Sequence, residues 1–255
     1  MPRVTPGSWQ QIEIQGKLAD VYEPRHWPEP RGVVIFLHGH GLTTLRENPA
    51  YTRQFEQQGL AVVCPHGQRS WWGERICAEF DAELSPARYL LDQVVPFIGE
   101  TWNVQPPLIA IAGISMGGQG ALRLAYHHPR EFPVVAAISP AIDFHNWYGQ
   151  GLPIDDMYDS REQARQDTAT LHIHPLNWPR HQWIVCDPTD AEWIESSERL
   201  LSKLSSTGIP VESDLQTSHG GHSWEYFDFM AERVVRFVRE SLEQEARRLP
   251  VTTPD

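Results

Sequence analysis

Five stretches of the chain are apolar almost from end to end: VVIFL (33–37), LAVVC (60–64), LIAIA (108–112), VVAAI (134–138) and QWIVC (182–186). A strand with no polar face is buried on both sides, and such strands belong to parallel sheets covered by helices. Two earlier runs, residues 9–14 and 18–22, flank a turn at Gly16 and predict a hairpin. A last run, 211–216, alternates apolar and polar residues and reads as an edge strand. Helical periodicity fills the intervals at 48–58, 85–101, 117–128, 191–207 and 224–248. Several of these helices carry their own punctuation. Gly59 stands at a C′ position, Ser85-Pro86 pairs an N-cap with a proline at the first helical position, and Pro129 and Gly208 stop two others. The order, a hairpin followed by alternating strands and helices, predicts one α/β domain over 1–255 with a mostly parallel eight-stranded sheet and helices on both faces. Residues 140–179 break the rhythm with Trp147, Tyr148, Trp178 and several prolines, and only 160–166 looks helical. An insertion of this length reads as a cap over a site or as a surface excursion.

Composition narrows the partners. A formal charge of −12 repels nucleic acid, and 40% hydrophobic with 21% charged residues is ordinary for a globular protein. No run is long and apolar enough for a membrane helix, and the first sixteen residues, MPRVTPGSWQQIEIQG, lack the apolar segment of a signal peptide, so a cytoplasmic protein is expected. Cys64 and Cys186 each end an apolar run and Cys77 stands apart, which suggests free thiols, the first two buried, and gives no zinc spacing.

The sharpest chemical signal is Gly113-Ile114-Ser115-Met116-Gly117. It begins where the apolar run LIAIA ends and leads into the periodic helix GGQGALRLAYHH. That strand–turn–helix setting is what a nucleophile turn requires: a sharp bend lifts the serine Oγ above the sheet edge, and glycines clear the crowded backbone around it. The following helix points free N–H groups at any developing negative charge, so the Met116 N–H is a candidate oxyanion donor. The lysine of a phosphate loop is missing.

A serine hydroxyl is protonated at neutral pH and needs a base. In folds built on this turn the acid and then the histidine follow the nucleophile in the chain. The loop after the last strand reads SHGGHSWEYF; His222, directly before the final helix and after two glycines, is the candidate base, and His219 is a rim residue or the alternative. The acid belongs in Asp187-Pro188-Thr189-Asp190 after QWIVC. Asp190 is the first choice, although it also stands at a helix N-cap, and Asp187 stays open beside it. A second oxyanion donor is expected in His38-Gly39-His40-Gly41, at the His40 N–H, with Gly41 as the alternative. Neither His38/His40 nor His172/His174 has a carboxylate at ligand spacing, so no metal and no cofactor is expected.

These residues carry a resemblance. LHGHG (37–41), SWW (70–72), GISMGGQGAL (113–122), CDPTD (186–190) and GGHSWEYF (220–227) make the chain similar to the putative-esterase group of α/β-hydrolases, which includes S-formylglutathione hydrolases, enterochelin esterases and mycolyl transferases. The resemblance runs over nearly the whole chain. It implies the α/β-hydrolase fold, with Ser115 as nucleophile, Asp190 as acid and His222 as base. Two departures stand out: Asp187 replaces the glycine of the family's usual G-x-x-D acid loop, and LHGHGLTT replaces the cysteine-bearing L-S-G-L-T-C of S-formylglutathione hydrolases. The expected chemistry is hydrolysis of a small ester or thioester through an acyl-serine. Acyl transfer on the same triad is one alternative; a non-catalytic binding protein that kept the fold is the other. Trp71, Trp72, Trp147 and Trp224 are candidate pocket walls, and a positive patch around Arg75 could offset the acidic surface. A homodimer is compatible with the sequence.

Overall fold

A computed structural model describes residues 4–249; the first three residues of the N-terminal segment lie outside them. The hairpin is formed by β1 (Gln10–Ile14) and β2 (Lys17–Tyr22), which pair antiparallel. The apolar runs become β3 (Val33–Leu37), β4 (Ala61–Pro65), β5 (Ile109–Ile114), β6 (Val134–Ile138) and β7 (His181–Val185), and β8 (Glu212–Asp214) closes the edge. Together they form one eight-stranded sheet in the order β1-β2-β4-β3-β5-β6-β7-β8. From β4 to β8 every neighbouring pair is parallel, and only the β1–β2 and β2–β4 pairs are antiparallel. The edge strand is shorter than its alternating pattern predicts because Asp214 turns back to accept the N–H groups of Gln216 and Thr217, which ends the ladder.

Strand periodicity splits the apolar residues between two cores. Val33, Ile35 and Leu37 of β3 face one side; Val34 and Phe36 face the other. On the second side lie α1 (Pro49–Gln58) and the long α8 (Trp224–Ala246), whose Tyr51, Phe55, Tyr226 and Met230 fill the space over the sheet. On the first side lie α2 (Pro86–Tyr89), α3 (Val95–Trp102), α4 (Met116–His127) and α7 (Ile194–Ser206). The α1 caps are those the sequence advertises: the Asn48 side chain accepts from Ala50 and Tyr51, and Gly59 takes a left-handed conformation at φ 70°.

The helix expected over 85–101 is present but not uniform. A π-helical turn, Leu90–Val94, joins α2 to α3, with the Val95 N–H reaching back to Leu90 O. Pro96 has no N–H to give the Asp92 carbonyl, and the widened turn accommodates that lost bond.

The 140–179 insertion is more ordered than its sequence suggests. It holds a 3₁₀ turn (Phe144–Trp147), α5 (Ile154–Met157), α6 (Arg161–Gln166, capped by Ser160) and a second 3₁₀ turn (Ala169–Leu171). Its last part packs on α4, where Asp167 meets Arg123 and the Ala169 N–H donates to Gln119 Oε1, and α4 is buried from Met116 to Tyr126 between this cover and the sheet. The buried Arg123 of α4 gives two hydrogen bonds to Asp167, at 2.8 and 2.6 Å, and Tyr158 donates to the other oxygen of the same carboxylate at 2.6 Å. Burial alone would raise the Asp167 pKa, but His172, Arg123 and Tyr158 together hold it at about 2. The insertion is therefore fastened to α4 by a charged, hydrogen-bonded knot as well as by apolar contact.

Candidate active site

Ser115 sits between β5 and α4 at φ 53° and ψ −119°, a conformation that an L-residue adopts only under tertiary constraint. Its glycine neighbours are forced by close approach. A Cβ on Gly117 would lie 2.0 Å from Leu37 O, and one on Gly113 would lie 2.4 Å from the Gly117 backbone. The Ser115 N–H is held by Ile138 O, and its carbonyl accepts from Ala141, so the turn is pinned from β6 as well as from its own strand.

The loop after β8 brings His222 to this serine. Gly220 and Gly221, at φ 89° and 67°, make the bend that returns the chain to the C-terminal rim of the sheet. His222 Nε2 lies 3.0 Å from Ser115 Oγ, and its Nδ1 lies 2.7 Å from Asp190 Oδ2. With Nδ1–H donating to the carboxylate, Nε2 keeps a lone pair facing the hydroxyl. The second Asp190 oxygen accepts the N–H groups of Glu192 and Trp193, so this side chain both starts the turn into α7 and meets the imidazole. It is almost wholly buried.

Asp187 has a different set of partners. One of its oxygens accepts from the Thr189 N–H and hydroxyl and from Ser218 Oγ, and the other from the N–H groups of His219 and Gly221. Burial pushes its pKa up, but these donors more than offset that and hold the carboxylate well below its usual range. Asp187 thus ties the histidine loop to the acid loop and makes no hydrogen bond to the His222 ring. His219 lies at the rim, its ring stacked on Phe229 at 4.3 Å.

Gly39, His40 and Gly41 run past the serine; a Cβ on Gly39 would be 3.2 Å from Ser115 Cβ. Met116, as the first residue of α4, has an N–H without an intrahelical partner. Sequence reasoning missed how the 38–41 loop is supported. His38 is buried, accepts the Gly67 N–H at its Nε2 (3.0 Å) and therefore donates from Nδ1 to Gly39 O (2.8 Å). Burial first, with His66 and His40 adding to it, lowers its pKa to about 4 against the pull of the Gly39 carbonyl. Because the folded pKa lies below the unfolded value of about 6.5, the neutral imidazole stabilises the fold above pH 6.5 and that contribution disappears as pH falls toward 4. Urea unfolding at pH 7 and pH 5 is expected to show a stability drop about 2 kcal/mol larger in the wild type than in His38→Gln, which has no proton to gain.

With this geometry established, relatives become informative. The profile of the family described as Putative esterase matches residues 16–236, most of the chain. The chain belongs to the Putative esterase family. Among curated proteins it is similar to the diacylglycerol acyltransferase/mycolyltransferase Ag85A of Mycobacterium tuberculosis, at 24% identity over 197 residues covering 69% of this chain; the chain spans 58% of that relative's length. Among solved structures it superposes on an S-formylglutathione hydrolase from Agrobacterium tumefaciens with TM-score 0.75 and 20% identity, over 92% of this chain and 94% of the other. The fluorophosphonate-binding serine hydrolase F of Staphylococcus aureus gives TM-score 0.74 and 17% identity over 92% and 99%. The fold is that of the α/β-hydrolases.

In this member of the Putative esterase family, a pocket of about 320 Å³ opens in front of the serine. Its walls include His40, Trp147, Glu192, Trp224 and Phe227. Of the four tryptophans expected there, only Trp147 and Trp224 line it. Trp71 and Trp72 are core residues instead. Trp71 stacks on Phe144 at 4.7 Å, and Trp72 is wedged against Gly67 and Gly120 with its indole N–H given to His38 O. Both indoles are consumed by packing beside α4. The first turn of the insertion alone reaches the pocket, through Trp147, whose Nε1 donates to Glu192 Oε1 at 2.6 Å. Arg75 does not supply a positive wall; its guanidinium lies over the Tyr158 ring at 5.6 Å. Among the described residues no group of three or more His, Cys, Asp or Glu is placed to hold a metal ion, and no helix is long and apolar enough to cross a membrane. His172 faces Asp167 rather than a metal partner set.

Proposed function

We propose that this chain is a serine esterase that cleaves small-molecule ester or thioester bonds through an acyl-Ser115 intermediate. The observation that carries the proposal is the continuous hydrogen-bonded line from Ser115 Oγ through His222 to Asp190, at 3.0 and 2.7 Å, on a strained nucleophile turn facing an open pocket. In this reading His222 Nε2 takes the serine proton as Oγ attacks the carbonyl carbon, and Asp190 stabilises the imidazolium. The N–H groups of Met116 and His40 receive the negative charge that develops on the carbonyl oxygen. The imidazolium then returns the proton to the leaving alcohol or thiol. Water, deprotonated by the same imidazole, frees the acyl group, and Ser115 recovers its hydrogen. The likeness to an S-formylglutathione hydrolase and to a fluorophosphonate-binding serine hydrolase supports this chemistry without naming the substrate.

The whole chain is proposed to work as one domain, with the start of the 140–179 segment as a pocket wall and the remainder as cover for α4. Three unpaired, buried thiols favour a reducing compartment, the cytosol. A second reading, transfer of the acyl group to an alcohol, is favoured by the likeness to the mycobacterial acyltransferase/mycolyltransferase. One experiment addresses both. Rapid quenching after mixing with p-nitrophenyl butyrate is expected to give a butyrylated tryptic peptide containing Ser115, and free butyrate as the main product in water. Butyrate ester as the main product at modest methanol concentration would favour the transferase. Turnover with no acyl-peptide and no nitrophenol burst would reject both readings.

A further inference from the structure

Among the described residues, Glu192 is the one carboxylate in the wall of the pocket, and no lysine or arginine lines it. One of its oxygens is engaged by the Trp147 indole N–H, which holds the carboxylate against the aromatic wall. The other oxygen has no hydrogen-bond partner from the protein among the described residues. Trp224 and Phe227 line the same pocket, and their rings pack edge to face at 5.7 Å. Among the described residues the other titratable walls are His222 and His40, and burial first, with Arg69 adding to it, lowers the His40 pKa and favours the neutral imidazole. Arg69 itself is paired with Glu79 at 2.9 Å.

An anchored carboxylate in a pocket lined by indole and phenyl rings, with no lysine or arginine among its described walls, is the chemistry that recognises a compact organic cation. Coulomb attraction supplies part of the preference, and the negative faces of the rings supply the rest. The formal charge of −12 adds a long-range field of the same sign.

We propose that this site selects esters whose alcohol or acyl part carries a compact alkylammonium group, over neutral esters of the same shape. The inference rests on the acyl-serine reading above and adds the charge of the substrate to it. Because Glu192 is solvent-exposed, the preference is moderate and salt-sensitive.

Choline and its neutral isostere 3,3-dimethylbutanol test the charge while leaving shape nearly constant. The full-length protein is labelled with a fluorophosphonate at low ionic strength, and the concentration of each alcohol that halves the labelling rate is measured. Choline is expected to protect at about one tenth the concentration of 3,3-dimethylbutanol. Raising the salt to 0.5 M should narrow that gap. Glu192→Gln, which keeps an acceptor for Trp147, should narrow it to about twofold. The same order should appear in kcat/KM for butyrylcholine against 3,3-dimethylbutyl butyrate. Equal protection by the two alcohols, stronger protection by the neutral one, or a gap unchanged in Glu192→Gln overturns the charge preference while labelling of Ser115 leaves the esterase reading standing. A wild-type chain that takes no label overturns the esterase reading, and the charge preference falls with it.

Discussion

Ser115→Ala is expected to lose all fluorophosphonate labelling and to lower kcat on p-nitrophenyl acetate by about a million-fold, leaving only what the oxyanion donors and binding provide. The substitution removes a single atom from a residue that is 7% exposed, and the backbone of the turn is held by Ile138 O and by Ala141 N–H, not by the hydroxyl. A loss of that size therefore reports chemistry and not unfolding, which circular dichroism of the variant would verify. Neighbouring groups cannot replace the hydroxyl. Cys186 is buried and its thiol is pushed far above the usual range by that burial, so it supplies no thiolate. Residual labelling of the alanine variant, or turnover within tenfold of wild type, would remove Ser115 from the role.

The second large effect separates the two aspartates. Asp190→Asn is expected to lower kcat by about ten-thousand-fold at neutral pH with little change in KM. The amide presents an N–H where Asp190 Oδ2 now accepts, and this turns the imidazole toward the tautomer whose proton faces Ser115. Asp187→Asn should act otherwise. Its carboxylate accepts from five donors in the two loops and makes no hydrogen bond to the ring, so the change leaves an N–H facing an N–H or a hydroxyl. The expected result is a stability loss of about 2 kcal/mol with turnover reduced about tenfold or less. Paired measurements of kcat and of urea midpoints decide the matter. Equal turnover losses, or a larger one for Asp187→Asn, would reject the assignment of Asp190.

The parts of the site that could be read from the sequence are those written locally. The turn around Ser115 is specified by residues within three positions of it, and the apolar runs on either side declare strand and helix without help from distant contacts. Chain order restricts the candidate base and the candidate acid each to one loop; within the acid loop the sequence puts Asp190 first and leaves Asp187 open. Both stand in the same four-residue turn, and only the path of the 218–222 loop decides which carboxylate meets the ring. Trp71 and Trp72 misled for a related reason: periodicity cannot say that Gly67 and Gly120 leave a slot for one indole and Phe144 a platform for the other. The support of the 38–41 loop by His38 depends on Gly67, a contact between two different strand ends. Glu192 carried no sequence signal at all; its meaning comes from Trp147, 45 positions away.

Asp187 also bears on how the two loops are held together. By binding His219 and Gly221 while standing in the turn that contains Asp190, it makes the carrier of the imidazole and the carrier of the acid a single rigid piece. Ser115 stands outside that piece, its backbone pinned instead by Ile138 O and the Ala141 N–H. The pairing of ring and carboxylate is thus anchored by backbone donors of its own two loops, with no help needed from the serine hydroxyl.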